Sequence, residues 1–205
     1  MSPPPSARAR VAALVLAGVC LLGADFSRPD PASFTLGTTT EQEIRQRFGT
    51  PSRQATARVG DKLVTTLQHT YVEVRSTALP ARAMTYTFHE GRLVGFDCSF
   101  VVDDTAFDES VTKKIKRGES TRAEVLALTG RPTGRFIYPS PQATTPGRRA
   151  DVYGYSRSER LASGQTIETT NKVLAIVFDN RDVVVEISLV ITSISKPLVS
   201  PGGSS

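Results

Sequence analysis

The sequence predicts an α+β protein made of two tandem modules, each with one or two short N-terminal helices packed on a three- to four-stranded antiparallel sheet. The first reason is an internal repeat. The pattern apolar-x-x-G-x-x-T-x-x-E-(I/V)-x-x-x-x-G-x-P occurs at 34–51 and again 81 positions later, at 115–132. The second reason is that alternating apolar and polar residues, typical of β-hairpins, follow each copy. The repeat takes precedence because it shows how the chain is assembled.

The repeated residues have the chemistry of helix ends. Thr40 and Thr121 stand three positions before Glu43 and Glu124, the spacing of a capping box in which hydroxyl and carboxylate each bond a free backbone amide. A glycine then ends each helix, and a proline two positions later prevents its continuation. The complete structural motif comprises Gly37, Thr40, Glu43, Gly49, Pro51, Gly118, Thr121, Glu124, Gly130 and Pro132.

Strands are predicted from residues that alternate along the chain. Residues 63–74 are rich in β-branched and aromatic types and predict one or two strands, whereas 84–102 and 173–191 each predict a hairpin with one apolar face. Between them, apolar residues at helical spacing predict an amphipathic helix over 104–116. Cys98 falls on the apolar side of the first hairpin, so we expect it to be buried in the core.

Residues 1–24 have the composition of an export signal. Arg8 and Arg10 form a positive start, and the apolar run at 11–24 carries no charge. That run is shorter than the ~20 residues needed to span a bilayer, which favours a cleaved signal over an anchor.

Two kinds of cleavage fit the end of this segment. The sequence Leu-Ala-Gly-Val-Cys ending at Cys20 is similar to the lipobox of bacterial lipoproteins, although Val19 stands where that pattern has Gly or Ala. Residues 22–24 would also suit ordinary signal peptidase, which would leave a free N-terminus near Asp25. A lipid anchor on Cys20 and a soluble mature form therefore both remain open.

The predicted domain organisation follows from the repeat, the prolines and the polar C-terminal stretch. Each repeat with its hairpin makes one module, and short segments rich in proline or in Gly and Ser flank the pair. The predicted ranges are 1–24 for the export signal, 25–33 for a tether, 34–102 for the first module, 103–193 for the second module and 194–205 for a disordered tail.

Charge and motif content exclude several function classes. The net charge of +5 falls to about +3 once the basic export signal is removed, an excess too small to indicate nucleic-acid binding but compatible with weak attraction to anionic lipid. His69 and His89 have no partner at metal-ligand spacing, and no zinc, P-loop or serine-nucleophile pattern occurs. The sequence therefore predicts a non-enzymatic protein without a catalytic residue, metal or cofactor.

The motif resembles a known family. Gly-x-(Ser/Thr)-x-x-Glu-(Val/Ile) followed by Gly-x-Pro and a hairpin ending Phe-x-x-Gly-x-Leu is similar to the SmpA/OmlA, or BamE-like, domain of bacterial envelope lipoproteins. The second copy departs from it, with Arg181 for the turn glycine and Val183 for the leucine. Tandem copies of a similar α-β module also build the secreted β-lactamase inhibitor proteins, whose joined sheets form a concave protein-binding surface.

The resemblance implies a periplasmic protein, often attached to the outer membrane, that acts as an accessory or scaffold subunit when outer-membrane proteins are assembled. Its expected partners are proteins of the cell envelope, with anionic lipid as a further possible contact and no nucleic acid. Two alternatives are a secreted enzyme inhibitor of the β-lactamase-inhibitor type and an anionic lipid or cell-wall binder. A lipid on Cys20 would favour the accessory subunit, because an anchored protein cannot diffuse to a secreted target.

Aromatic residues near the predicted strands are candidates for partner contacts, because Tyr is frequent among the residues that dominate interface energies. If these side chains face outward they mark an interface, and if they face the core they do not; the sequence leaves both open. The candidates are Tyr71, Phe136, Tyr138, Tyr153 and Tyr155.

Overall fold

The computed structural model describes residues 33–72, 81–100, 109–161 and 166–197, and the structural statements below concern those residues. Helices α1 (Glu41–Phe48) and α2 (Arg122–Thr129) and a 3-10 helix (Glu109–Lys113) accompany the strands. The strands are β1 (Arg53–Val59), β2 (Lys62–Val72), β3 (Ala81–His89), β4 (Arg92–Phe100), β5 (Gly134–Ile137), β6 (Arg149–Arg160), β7 (Thr166–Phe178) and β8 (Val184–Pro197). Within these ranges no helix is long and apolar enough to cross a membrane.

All eight strands belong to one antiparallel sheet, in the order β1 to β8. The first four strands join the last four because β4 pairs with β5 through Gly95↔Phe136, Phe96↔Arg135 and Asp97↔Gly134. The predicted fold class, two tandem α+β modules with a sheet each, is therefore wrong. Separate sheets would leave β4 and β5 as edges with unpaired backbone groups, and pairing the two strands satisfies those groups instead.

Several predicted segments lie outside the described residues. These are the export signal with Cys20, the tether up to residue 32, the module boundary at 102–103 and the tail from 198 onward. The first four residues of the predicted disordered tail, 194–197, are described and belong to a strand, because β8 continues to Pro197.

The two copies of the repeat have the same local structure. Thr40 Oγ1 accepts from the amide of Glu43 at 3.2 Å, and the Glu43 carboxylate accepts from the Thr40 amide at 2.6 Å. Thr121 and Glu124 repeat these bonds at 3.3 and 2.8 Å. The bonds hold the pKa of both glutamate carboxyls below the usual value. The structure thus contains both predicted capping boxes, and the two acids serve the helix ends.

The loop before each helix is bonded to a strand in the same way. In the first copy, the Gly37 amide donates to the Leu93 carbonyl at 2.7 Å and the Leu93 amide donates to the Thr39 carbonyl at 2.8 Å. In the second, Gly118, Val184 and Ser120 make the equivalent bonds at 2.7 and 2.9 Å. Both glycines have positive φ, 79° and 77°, which explains why the repeat requires glycine there.

Both helices pack on the same face of the sheet, over two hydrophobic clusters. Ile44 of α1 packs in a cluster with residues of β2, β3 and β4, and Val125 of α2 packs in a cluster with residues of β6, β7 and β8. Cys98 is 1% exposed within the first cluster, so its predicted burial is confirmed. The sheet residues in these clusters are Leu67, Met84, Tyr86, Phe88, Leu93, Phe96 and Cys98, and then Tyr153, Leu174, Ile176, Phe178 and Val184.

One predicted helix differs in extent, and one strand was not predicted at all. The helix predicted over 104–116 is a 3-10 turn at Glu109–Lys113 in its described part, although Val111 and Ile115 are buried as their spacing predicted. Strand β1 was not predicted, because six of its seven residues are exposed and mostly polar and therefore carry no alternating pattern. β1 is an edge strand that needs only the ladder with β2.

Candidate functional site

The opposite face of the sheet, which no described helix covers, is called the helix-free face below. Side chains of residues paired across neighbouring strands point to the same face of the sheet. Once the helix-covered face is known, the strand register therefore shows to which face each side chain belongs. Two rows of neighbours cross all eight strands on the helix-free face. The first row is Arg53, Gln68, Thr85, Asp97, Gly134, Val152, Ala175 and Ser188; the second is Ala55, Thr66, Thr87, Gly95, Phe136, Ala150, Val177 and Glu186.

The helix-free face has its own small hydrophobic cluster where the two halves of the sheet meet. Phe136, Ala150 and Val152 are buried there. The ring of Phe136 lies directly over Gly95, since a Cβ added to Gly95 would be 2.1 Å from Phe136 Cδ1. Glycine at this position therefore provides the space that lets β5 pair closely with β4.

Formal charge is sparse on this face. Among the sixteen described positions of the two rows, only Arg53, Asp97 and Glu186 carry a charge, and Arg53 and Glu186 belong to the edge strands. The other positions are small, apolar or neutral polar residues. Depletion of charge is the composition that distinguishes the centre of a protein interface from other surface.

Asp97 is the exception at the centre of the face. Its Oδ1 lies 3.4 Å from Thr133 Oγ1, and a Cβ on Gly134 would come within 2.7 Å of the same oxygen. Burial raises the pKa of the Asp97 carboxyl, although hydrogen bonds from the Cys98 amide and Thr133 act in the opposite direction. The ionised carboxylate is thus less stable here than in water, and the side chain is still partly exposed.

An exposed apolar patch continues the face onto the last two strands. Val173 is 41% exposed, its cross-strand neighbour Val190 is 53% exposed, and Ile194 is 51% exposed. Gly154, which pairs with Val173, adds no side chain that could cover it. Together with the buried cluster around Phe136, these residues give the second half of the face a mainly apolar character.

The five aromatic candidates are distributed over both faces. Phe136 belongs to the helix-free cluster, and Tyr138 is partly exposed beside it in the chain, at the cis Tyr138-Pro139 bond. Tyr153 is buried on the helix side, where burial raises its pKa to about 12. Tyr155 pairs with Lys172 on the helix side, with the Lys172 Nζ 5.8 Å from its ring centre. Tyr71 is part of β2, and its side chain lies outside the description.

An ion pair on the helix side attaches α2 to the sheet. Arg122, the first residue of α2, donates from Nε and Nη2 to the two carboxylate oxygens of Asp151 on β6, at 2.7 and 2.9 Å. Asp151 is 1% exposed, and this bidentate bond raises the pKa of Arg122. The pair satisfies a carboxylate buried beneath α2, so we assign it a structural role.

The two histidines do not form a metal site. His89 Nδ1 lies 2.9 Å from the Leu63 carbonyl oxygen, and buried His69 contacts the rings of Phe48 and Tyr86, each with its centre 5.9 Å away. Within the described ranges no group of three or more His, Cys, Asp or Glu residues could hold a metal ion.

His69 makes the stability of the fold depend on pH. Burial, and to a smaller extent the charge of Arg45, lowers the pKa of His69 below 6.5. The unfolded chain then binds more protons than the folded one, so stability is complete above pH 6.5 and is lost as the pH falls towards the folded pKa. We expect the Tm to fall between about pH 7 and about pH 5, and His69→Phe to reduce that fall. Equal pH profiles of the two proteins by calorimetry would contradict this.

Comparisons with known proteins give little guidance. No model of a known protein family matches the chain, and no curated protein matches it. Among solved structures, the chain is similar to one described as a "putative beta-lactamase inhibitor protein" from Streptococcus mutans. The two are 13% identical, the match covers 74% of this chain and 82% of that one, and the TM-score is 0.39. That likeness is too low to support a functional argument.

The sequence indicated the alternation of the two hairpins but not the central residue of the site. Asp97 reads as an ordinary exposed strand charge until β5 lies beside it, because Thr133 and Gly134, the residues that enclose its carboxyl, are 36 and 37 positions away. The one available signal was an acid between apolar residues of a predicted hairpin.

Proposed function

We propose that the chain is a non-enzymatic binding protein whose helix-free face contacts another protein. The observation that carries this is a face that crosses all eight strands, that no described helix covers, and that is poor in charge except for one desolvated carboxylate at its centre. Apolar groups, few charges and one partly desolvated polar group are typical of the centre of an interface.

The face is large enough for this role. Eight strands spaced about 4.8 Å apart are about 34 Å wide. A standard interface buries about 800 Å² on each partner. A strip of this width reaches that area over about 24 Å along the strands, or about seven residues, a length that every strand except β5 provides.

Asp97 indicates the chemistry of the partner. A carboxylate that is costly to keep ionised in the free protein is stabilised when a cationic group binds to it. The surrounding surface is neutral, so the partner should present an apolar or neutral polar surface with a Lys or Arg at its centre. Such a pair would fix the register of the complex more than it would raise the affinity.

The cellular role we propose for this binding is that of an exported accessory subunit in a bacterial envelope complex, with the export signal and the possible lipid on Cys20 as its support. A secreted enzyme inhibitor would use the same face, and an anionic lipid or cell-wall binder would use exposed basic residues instead. These roles differ in their partner, which gives a direct test.

The test is site-specific photo-crosslinking in the producing cells. A photoreactive residue is placed at Thr85 or Ser188 on the helix-free face and, as matched controls, at Ala123 or Ala127 on the exposed side of α2. We expect protein crosslinks from the first pair and none from the second. An envelope complex as the product supports the accessory subunit, and an inactive enzyme supports the inhibitor. Crosslinks confined to the α2 positions, or to lipid, would reject the proposal.

Asp97→Asn should separate stability from binding. Because the pKa is raised, the contribution of Asp97 to stability is present at low pH and is lost as the pH rises through the folded pKa. The neutral amide avoids that loss, so we expect the Tm at pH ~7 to rise by about 2–4 °C, the effect of about 1 kcal/mol in a chain of this size. We expect the crosslinks from Thr85 to decrease at the same time. A variant with unchanged Tm and full crosslinking would show that Asp97 is only a surface charge.

A further inference from the structure

The outer edge of β8 is open along most of its length. β8 is the last strand of the sheet and pairs only with β7 among the described strands. Its first residues are covered, because Val184 bonds to Gly118 and Ser120, and the Ile187 carbonyl accepts from Arg117 Nη2 at 3.2 Å. No described backbone group bonds to the outer edge beyond Ile187, so residues 188–197 present a strand edge.

These bonds also show which residues face outward. In an antiparallel strand, successive residues direct their N–H and C=O groups to opposite edges. The Ile187 carbonyl faces away from β7, since Arg117 reaches it from outside. The backbone groups of Leu189, Ile191 and Ser193 therefore face outward as well, while those of the residues between them bond to β7.

The first copy of the repeat shows what this edge accepts. Leu93 has the same two bonds to its helix loop as Val184 has to its own, and a few residues later β4 pairs with β5. β5 pairs with Gly95, Phe96 and Asp97 of β4, whose counterparts on β8 are Glu186, Ile187 and Ser188, so the open edge of β8 begins about where the pairing of β4 with β5 ends. In the first copy, the edge of β4 that follows the bonds between Leu93 and the loop before α1 is thus used for strand pairing.

The side chains of β8 are unusual for an exposed edge. Edge strands are normally protected by inward charges, proline or bulges. Between Glu186 and Lys196, β8 has the sequence Ile-Ser-Leu-Val-Ile-Thr-Ser-Ile-Ser, without a charge. Val190, Ile191 and Ile194 are 53%, 46% and 51% exposed. A long, apolar and open edge is a template for another strand.

We infer that β8 pairs with β8 of a second copy of this chain, antiparallel and centred on Ile191, so that two sheets join into one. The charges select both the orientation and the register. Glu186 and Lys196 lie five residues to either side of Ile191, so this register places each Glu186 opposite the Lys196 of the second copy. A parallel pair would bring like charges together, which is unfavourable across strands.

The backbone agrees with the same register. Ile191 meets its own counterpart and Leu189 meets Ser193, so each of these pairs joins two outward-facing residues that can exchange both N–H···O bonds, and the pairs between them are the non-hydrogen-bonded ones. Moving the centre by one residue, to Val190, would place Glu186 opposite the apolar residue Ile194. The axis of the pair is perpendicular to the sheet, and the two helix-free faces therefore lie on the same side of the dimer.

Charge reversal provides the test, with the mass of the purified protein measured by light scattering over a range of concentrations. We expect a dimer. Glu186→Lys or Lys196→Glu alone places two like pairs across the contact and should weaken the dimer about tenfold. The double variant Glu186→Lys/Lys196→Glu restores opposite charges and should return the dissociation constant to within about threefold of the original.

Proline substitution tests the edge itself. Ile191→Pro removes an outward N–H, so we expect a monomer whose Tm equals that of the original protein at concentrations low enough for the original to be monomeric, because proline is tolerated at such positions of edge strands. Val190→Pro removes an N–H that bonds to β7 and should lower the Tm. The comparison checks which backbone groups of β8 face outward and which face β7. A monomer at every concentration, a double charge variant as weak as the single ones, or a dimer that survives Ile191→Pro would each overturn the inference.

Discussion

Gly95→Ala is expected to destabilise the protein by about 3 kcal/mol, the upper end of the usual cost of overpacking. The new methyl group would lie 2.1 and 2.7 Å from two carbons of the Phe136 ring, distances that require the ring or the strand to move. Phe136 is 3% exposed and cannot swing into solvent without losing its contacts with Ala150 and Val152. The measurement is the free energy of unfolding in urea.

The matched control is Gly154→Ala, on the same face and also within a strand. A Cβ at Gly154 would find its nearest neighbour, Thr133 Oγ1, at 3.4 Å, so we expect a change within about 0.5 kcal/mol. Phe136→Leu should recover part of the loss when it is combined with Gly95→Ala, since it removes the ring atoms that collide. Equal effects of the two glycine substitutions would mean that the close approach of β4 and β5 is not what requires Gly95.

Asp151→Val is expected to cost about 3 kcal/mol, because it leaves the Arg122 guanidinium under α2 without its bidentate partner. The figure is at the lower end for buried pairs, since the Arg122 side chain is 22% exposed and can still reach water. Arg122→Met should cost more, because Asp151 is 1% exposed and its carboxylate would be left buried alone. Thermal unfolding of both variants gives the comparison.

The pair should behave as a unit. In the double variant Arg122→Met/Asp151→Val neither charge is left unpaired, and we expect a loss of no more than about 1 kcal/mol relative to the original protein. Breaking the exposed Lys116–Glu119 pair by Glu119→Ala should have no measurable effect, because both side chains are solvated. Additive losses for Arg122 and Asp151 would show that each contributes through packing and not through the other.

The sequence carried enough information for the local structure of the repeat. Thr40 with Glu43 and Thr121 with Glu124 form the capping boxes that their spacing predicts, because a cap depends on four consecutive residues and little else. The alternation in 84–102 and 173–191 likewise identified β3, β4, β7 and β8, since burial on one face of a strand imposes a period of two.

The number of sheets could not be predicted in the same way. Joining the halves depends on β5, which has only four residues, and on the fit of Phe136 over Gly95, which are 41 positions apart. A strand of four residues gives too short a pattern to indicate its partner, and a space next to a glycine is a property of the assembled sheet. The sequence did not indicate Asp97 as the central residue of the site for the same reason, because its surroundings form only when β5 pairs with β4.

The junction between β4 and β5 has a consequence for ligand-linked stability. It holds the halves together by three residue pairs, whereas β7 and β8 share thirteen. Among the described ladders of the sheet, the one between β4 and β5 therefore breaks the fewest bonds when it separates. Partial opening of the protein should begin at this junction. A partner lying across the helix-free face would contact both sides of this junction and would bind only while β4 and β5 are paired. Its binding free energy is therefore added to the free energy needed to separate the two strands. Binding of a partner to the helix-free face would thereby make the two halves of the sheet unfold as a single cooperative unit.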